Sequence, residues 1–132
     1  MTSSDLSSVT LLHLMSGNLD VPGAPVLNLA LMYDSQSGAV AGEALITQAI
    51  APPDGRILVR NVTGQVHGLG IGGATRVMSL KGEYVYILPP PAIGSVTEKF
   101  EATYVTDNQW KGHGSFQYGG KSVRNVPIKQ RG

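Results

Sequence analysis

The sequence predicts an all-β fold: a single antiparallel β-barrel-like meander of eight to nine strands, with a β-sandwich as the alternative. Apolar and polar residues alternate with a period of two along most of the chain, which is typical of strands that bury one face. Turn-forming residues separate these segments at short intervals, as they do in barrels and sandwiches. Most connections are short enough for consecutive strands to pair, and this favours the barrel.

The first three predicted strands span residues 9–16, 26–34 and 39–50. The first is a short apolar segment that ends at a Gly-Asn turn. His13 lies on the same face of this strand as Leu11, which suggests an inward position for the histidine. The second follows a loop rich in proline and glycine and places leucines at every other position. A short loop with glycine at its end suits a hairpin between the second and third strands.

The next strands follow an Ala-Pro-Pro-Asp-Gly segment, which is the clearest break in the chain. In residues 56–66 the apolar positions change parity part-way, and a β-bulge near Arg60-Asn61 would explain the change. Residues 75–81 and 83–88 flank a glycine and form one strand or two. Three consecutive prolines end this segment, because proline cannot donate a hydrogen bond to a neighbouring strand.

The last three predicted strands span residues 95–105, 110–118 and 122–128. The middle one is unusual, because Gly112 and Gly114 separate three aromatic residues on the same face. Glycine in a strand marks a sharp bend or the close approach of another group. The segment therefore forms either an aromatic-walled ligand slot or a bent barrel strand whose glycines are covered by neighbouring aromatic rings.

Charge is strongly segregated along the chain, although the formal net charge is only +1. Residues 1–55 carry five acidic and no basic side chains, and residues 108–132 carry five basic and no acidic ones. No linker separates these parts, so we expect one β domain over residues 9–128, a flexible N-terminus at 1–8 and a basic tail at 129–132. If the barrel closes, its first and last strands are neighbours and the two charged parts lie side by side.

Composition excludes several kinds of function. The absence of cysteine excludes disulfides, thiolate catalysis and cysteine-ligated metals. No apolar segment is long enough to span a membrane and no basic segment precedes the first apolar run, so we expect a soluble cytoplasmic protein without membrane partners. The small net charge argues against a nucleic-acid partner.

Neither a cofactor nor a metal is expected. Residues 68–73 match the glycine spacing of a dinucleotide-binding loop, but a strand pattern follows them where that loop requires a helix. We interpret them as a flexible connection. His13, His67 and His113 are far apart in the chain, without the local spacing of metal ligands.

The leading functional hypothesis is a non-catalytic domain that binds a small apolar ligand in the barrel mouth, or a protein partner. Aromatic side chains are the expected lining of that site. They are Trp110, Phe116, Tyr118, Tyr84 and Tyr86.

Two alternatives are kept. In the first, the protein is an assembly module that forms homo-oligomers through its acidic N-terminal and basic C-terminal parts, with residues 122–128 as an exchangeable strand. In the second, it is an enzyme with Glu98 or His13 as acid or base, because these polar groups share parity with apolar neighbours.

Four short pieces carry a family resemblance that extends from Pro22 to Ile128. They are Pro22-Gly23-Ala24-Pro25, Ile46-Thr47-Gln48-Ala49 with Pro52-Pro53, Trp110-Lys111-Gly112-His113-Gly114, and Asn125-Val126-Pro127-Ile128. In their order and spacing they resemble a small bacterial domain family of unknown function. The resemblance implies a bacterial source and an all-β domain, and it supplies no catalytic residues.

Overall fold

The computed structural model describes residues 8–51, 54–69 and 75–131. Within these ranges the secondary structure consists of β-strands, without any helix. None of the described residues belongs to a helix that is long and apolar enough to cross a membrane. The eight strands are β1 (Val9–Gly17), β2 (Val26–Asp34), β3 (Ala39–Thr47), β4 (Arg56–Gly68), β5 (Arg76–Ile87), β6 (Ser95–Thr106), β7 (Gly112–Tyr118) and β8 (Lys121–Gln130).

The strands form a closed barrel in which each pairs with the next in antiparallel orientation and β8 returns to β1. The barrel prediction is therefore confirmed, and the sandwich alternative is excluded. The closing contact between β8 and β1 is short: Leu14 pairs with Gln130, Met15 with Lys129, and Ser16 with Ile128.

The interior of the described barrel is filled by side chains. Successive residues of a strand point to opposite faces, so one set of alternate positions faces inward. All eight strands contribute buried apolar residues at these positions, and Leu14, Ile46, Val59, Phe100 and Ile128 are fully buried. An eight-stranded barrel is just wide enough for its own side chains, so this interior is a packed core.

Several strand boundaries differ from those predicted, and two of these differences concern β5 and β8. The glycine between residues 81 and 83 does not interrupt the fifth strand, since β5 continues through it to Ile87 and pairs with β6 along its whole length. At the other boundary, β8 extends to Gln130, so Lys129 and Gln130 belong to the closing strand and not to a tail. Most of the N-terminus predicted to be flexible, residues 1–7, lies outside the described residues, as do residues 70–74 of the glycine-rich connection.

The inward position predicted for His13 is wrong. Leu12 and Leu14 are buried, so His13 and Leu11 face outward and are exposed. Both parities of this strand carry apolar residues, and alternation alone does not decide between them. The third strand ends at Thr47 and not at residue 50, and the Gln48 amide that follows it donates to the Gly55 carbonyl over 3.0 Å.

The bulge predicted in the fourth strand is confirmed. Val62 pairs with Gly42 and Val59 with Ala44, so Arg60 and Asn61 together stand opposite the single residue between Gly42 and Ala44. The extra residue changes the parity of β4, and Val59 and Val62 both reach the core with 0% exposure.

A seam opens where β4 and β5 separate. Residues 63–68 of β4 pair with residues 76–81 of β5. The start of β4, residues 56–62, has pairs only with β3, and the end of β5, residues 82–87, has pairs only with β6. One mouth of the barrel is therefore open between these two segments, and the candidate site lies there.

Candidate functional site

A cleft with a volume of ≈ 260 Å³ lies at this open mouth, and we call it the tyrosine cleft. Residues from the start of β4, the end of β5, the start of β6 and the β7–β8 turn form it. They are Asp54, Ile57, Tyr84, Tyr86, Glu98, Tyr118, Gly119 and Lys121.

The alternation of the strands aims the three tyrosines into the cleft. Tyr84 and Tyr86 occupy successive inward positions of β5, beyond the point where β4 separates from it. Tyr118 is the last residue of β7 and also faces inward. Tyr84 and Tyr118 are buried at 8% and 2% exposure, whereas Tyr86 is half-buried. The rings therefore form the floor and one wall of the cleft.

At the β7–β8 turn, the Glu98 carboxylate of β6 lies close to the Tyr84 phenol, which stands opposite it in β5. Gly119 has a φ of 52°, a conformation that side-chain-bearing residues adopt at a cost. A Cβ atom built on Gly119 would lie 2.5 Å from the Tyr84 hydroxyl oxygen and 3.3 Å from an oxygen of Glu98. Both groups thus converge on the same glycine, and the missing side chain leaves room for them.

The tyrosines of the cleft are held in their neutral form. Burial, together with the negative charge of Glu98, raises the pKa of Tyr84 from 10.0 to about 12. Burial also raises the pKa of Tyr86, to which the Asp54 carboxylate contributes as well, and that of Tyr118. At neutral pH the cleft therefore presents phenol groups beside two carboxylates.

The acidic and basic parts of the chain meet in this cleft, as the charge pattern predicted for a closed barrel. Asp54 comes from the acidic first part and Lys121 from the basic last part. The Lys121 ammonium also lies 5.8 Å from the centroid of the Tyr118 ring, in a cation–π contact.

The other two predicted aromatic residues lie elsewhere. Phe116 is fully buried in the core, where its ring stacks on Tyr118 at 6.0 Å with an interplanar angle of 17°. Gly114 is covered by the Tyr104 ring, which supports the bent-strand interpretation of this segment. Trp110 lies at the opposite end of β7, in the turn between β6 and β7.

Trp110 closes the opposite mouth of the barrel. The Asp107 carboxylate accepts hydrogen bonds from the amides of Gln109 and Lys111, at 2.8 and 3.1 Å, and these bonds lower its pKa. Trp110 has a φ of 65° in this turn and is only 6% exposed. Its ring lies 4.5 Å from the Arg76 guanidinium, so Trp110 takes part in a different cluster from the cleft tyrosines.

Asp54, Ile57, Gly119 and Lys121 complete the cleft but were not among the predicted site residues. Asp54 belongs to a Pro-Pro-Asp-Gly segment that is also a common turn sequence. Gly119 and Lys121 belong to a tight hairpin. These residues join the site because their loops lie at the same mouth of the barrel as the tyrosines. The sequence pattern does not show this, because it depends on how the barrel closes.

A larger groove, of ≈ 500 Å³, lies on the outside of the barrel but is a weaker candidate. Its charged lining comes from β5 and β6, where Lys81 stands opposite Glu101 and Glu83 opposite Lys99. Opposite charges on facing positions already complement each other, which leaves no net charge for a ligand.

Glu98 and His13, the two residues predicted as a possible acid or base, do not lie in the same cleft. Glu98 lines the tyrosine cleft, whereas His13 lines a separate groove on the outer face of β1 to β4. In the part of the chain that the structure describes, no three His, Asp or Glu side chains gather as metal ligands. The cleft thus offers phenols, carboxylates and an ammonium group for binding.

The family model described as "Domain of unknown function (DUF1842)" matches residues 11–123. The match confirms the predicted resemblance to a family of unknown function and spans most of the barrel. No curated protein matches the chain.

Proposed function

The chain belongs to the DUF1842 family of unknown function, and we propose that it is a non-catalytic domain that binds a small polar ligand in the tyrosine cleft. The convergence of Tyr84, Tyr86 and Tyr118 in one open cleft carries this proposal. The three residues come from two strands that are not adjacent in the barrel, and they meet where the barrel mouth is open.

The shape of the barrel supports a ligand at the mouth in preference to one inside. Packed apolar side chains fill the described interior, and binding there would require their displacement. The tyrosine cleft, at ≈ 260 Å³, is slightly smaller than typical pockets for drug-sized molecules and suits a smaller compound.

The chemistry of the cleft supports a polar ligand in place of the apolar one expected from the sequence. Tyrosine rings supply apolar contact area, but each also carries a hydroxyl group, and Asp54 and Glu98 lie beside them. An apolar ligand would leave these polar groups without water or a partner, which costs free energy.

A thermal-shift screen of small polar compounds, followed by calorimetry on those that raise the melting temperature, tests this proposal. Replacement of half-buried Tyr86 by alanine should weaken binding at least ~5-fold, since aromatic contacts contribute about 1–3 kcal/mol when desolvated. Val85→Ala is the matched control, because Val85 is the preceding residue of β5 and points outward with 66% exposure. Equal loss in both variants, or a screen without any binder, would contradict the proposal.

A second candidate function, assembly with a second copy of the chain, is favoured by the free end of the β5–β6 hairpin. The edge of residues 82–87 lacks a strand partner at the seam, and such an edge is a template for pairing. Val85, Ile87 and Ile93 are 66%, 67% and 97% exposed on the same hairpin, and residues 84–97 contain no charged side chain.

Light scattering at low and high salt tests assembly. A dimer through this apolar edge should persist in high salt and be lost in a Val85→Lys variant. Dissociation by salt would favour the electrostatic pairing of acidic and basic parts expected from the sequence. A monomer under both conditions would exclude both forms of assembly.

A further inference from the structure

We propose that the ligand of the tyrosine cleft is a small organic cation, either an amine in its ammonium form or a quaternary ammonium compound. This inference rests on the proposed function and specifies the class of ligand. Three properties of the cleft support it: its aromatic surfaces, its net charge and the contact that Lys121 already makes there.

Three tyrosine residues line the cleft and give it an aromatic surface. A tyrosine ring carries a negative π face that attracts cations within about 6 Å, and desolvation strengthens this attraction. Tyr84 and Tyr118 are buried and Tyr86 is half-buried, so little water competes with a cation for contact with these rings. Groups of aromatic rings of this kind are used in proteins to bind quaternary ammonium ions.

The charge of the cleft has the required sign. Asp54 and Glu98 supply two negative charges and Lys121 one positive charge, and none of the other described residues that line the cleft is charged. The lining therefore carries a net charge of −1, given by two acidic and one basic side chain. The two carboxylates come from different parts of the barrel, Asp54 from the turn before β4 and Glu98 from β6.

The raised pKa values of the tyrosines agree with this charge. Beside the larger effect of burial, the negative charge of Glu98 raises the pKa of Tyr84. That of Asp54 raises the pKa of Tyr86 and of Tyr118, so a further negative charge in the cleft is disfavoured. The same field favours a positive charge on a bound ligand. An anionic ligand would add to this repulsion.

Lys121 provides a cation within the molecule itself. Its ammonium lies 5.8 Å from the Tyr118 ring centroid, so this ring face already contacts a positively charged nitrogen. Lys121 is an exposed residue on a long flexible side chain, and a bound cation can displace it. Lys121 thus acts as a competitor for a cationic ligand, whereas it would act as a partner for an anionic one.

Three probes of the same shape separate the charge of the ligand from its size. They are choline, its neutral isostere dimethylbutanol and the anion dimethylbutyrate. Calorimetry on the full chain should show choline binding at least ~10-fold more tightly than the alcohol, as expected for a desolvated cation–π contact. The anion should bind more weakly than either.

Substitution of Lys121 is expected to strengthen ligand binding, whereas a general loss of structure would weaken it. Lys121→Met keeps the length of the side chain and removes the charge, so choline should bind about three- to tenfold more tightly. Asp54→Asn and Glu98→Gln should weaken choline binding by a similar factor without affecting the alcohol. Lys99→Met is the matched control on the outer face of β6, and it should leave choline binding unchanged.

The outcomes separate this inference from the proposed function. If the alcohol binds as tightly as choline, or if Lys121→Met weakens the binding, the ligand is not a cation and the proposed function remains. If choline does not bind but a neutral or anionic compound of the polar screen does, the inference is likewise overturned. If no compound binds, both the inference and the proposed function fail.

Discussion

The Tyr104 hydroxyl donates a hydrogen bond of 2.8 Å to the Ser16 hydroxyl, and both residues are completely buried. A buried polar group that loses its partner costs about 1–3 kcal/mol, because neither water nor another group replaces it. This pair links the last part of β6 to the end of β1 across the barrel. It is therefore the polar contact in the core that is most sensitive to substitution of a single residue.

We predict that Ser16→Ala lowers the free energy of unfolding by about 1–3 kcal/mol, since the Tyr104 hydroxyl is left without its acceptor. Tyr104→Phe should have a similar effect through the orphaned serine hydroxyl. The double variant should lose less than the sum of the two, because it removes both partners. Chemical denaturation of the four proteins measures this, and additive losses would show that the bond contributes nothing.

At the level of single residues, the fold brings together only part of the aromatic set predicted from the sequence. Tyr84, Tyr86 and Tyr118 were expected in a ligand site because of their type and parity, and they do line one cleft. Trp110 was expected with them but lies in the turn at the opposite end of β7. The parity of a strand predicts which face a residue occupies, but it does not predict which end of the barrel that residue lies at.

The strand β7 bends against its neighbour at two glycines. A Cβ atom on Gly114 would lie 2.5 Å from a ring carbon of Tyr104 and 2.7 Å from the Tyr104 Cα, closer than any ordinary packing contact. The backbone of β6 cannot retreat, because residues on both sides of Tyr104 pair with β7 and β5. Glycine at this position therefore permits the close approach of the two strands.

We predict that Gly114→Ala destabilises the fold by about 1–3 kcal/mol, the usual cost of an extra methyl group in a packed interior. Gly68→Ala is the matched control, since Gly68 is also a strand glycine but has no atom within 4 Å of its added Cβ. The melting temperatures of the two variants test this. A Gly114→Ala protein as stable as the Gly68→Ala protein would contradict the account of the bend.

At the level of elements, most strands and one bulge follow from the sequence. The change of parity between Val59 and Val62 predicted the bulge, because both residues are too apolar to face water. The seam between β4 and β5 was not predicted. It depends on the register with which the two strands pair, and the residues beside it alternate like those of any other strand.

Across the whole molecule, the stability of the barrel should depend on pH in the alkaline range. The folded state raises the pKa of Tyr84 from 10.0 to about 12 and also raises those of Tyr86, Tyr104 and Tyr118. The unfolded chain therefore releases these protons at a lower pH than the folded protein does. The contribution to stability is fully present below pH 10.0 and is lost as the pH rises toward about 12.

Chemical denaturation at a pH below 10.0 and at a pH near 12 should show that the free energy of unfolding is lower at the higher pH. The absorbance of tyrosinate should appear over the same range. Tyr84→Phe should reduce the slope of this fall, because it removes one of the ionising groups. A stability that stays constant between pH 10.0 and 12 would show that the tyrosines are not protected by burial.

The closed barrel also explains which large-scale features the sequence predicted. Closure of the predicted barrel implied that the first and last strands are neighbours, and β1 does pair with β8. The position of the cleft depends on four connections that emerge at the same mouth, and this is a property of the closed sheet as a whole. Only the three-dimensional fold brings Asp54 and Lys121 to the same place.

Nuclear magnetic resonance mapping with a binder from the polar screen tests the central claim most directly. We predict that the signals that shift belong to the tyrosine cleft, with the largest changes at Tyr84, Tyr86 and Tyr118. The indole signal of Trp110 should not change, because this ring lies at the opposite mouth of the barrel. Shifts centred on Trp110, or binding without any change at the three tyrosines, would contradict the assignment of the cleft as the binding site.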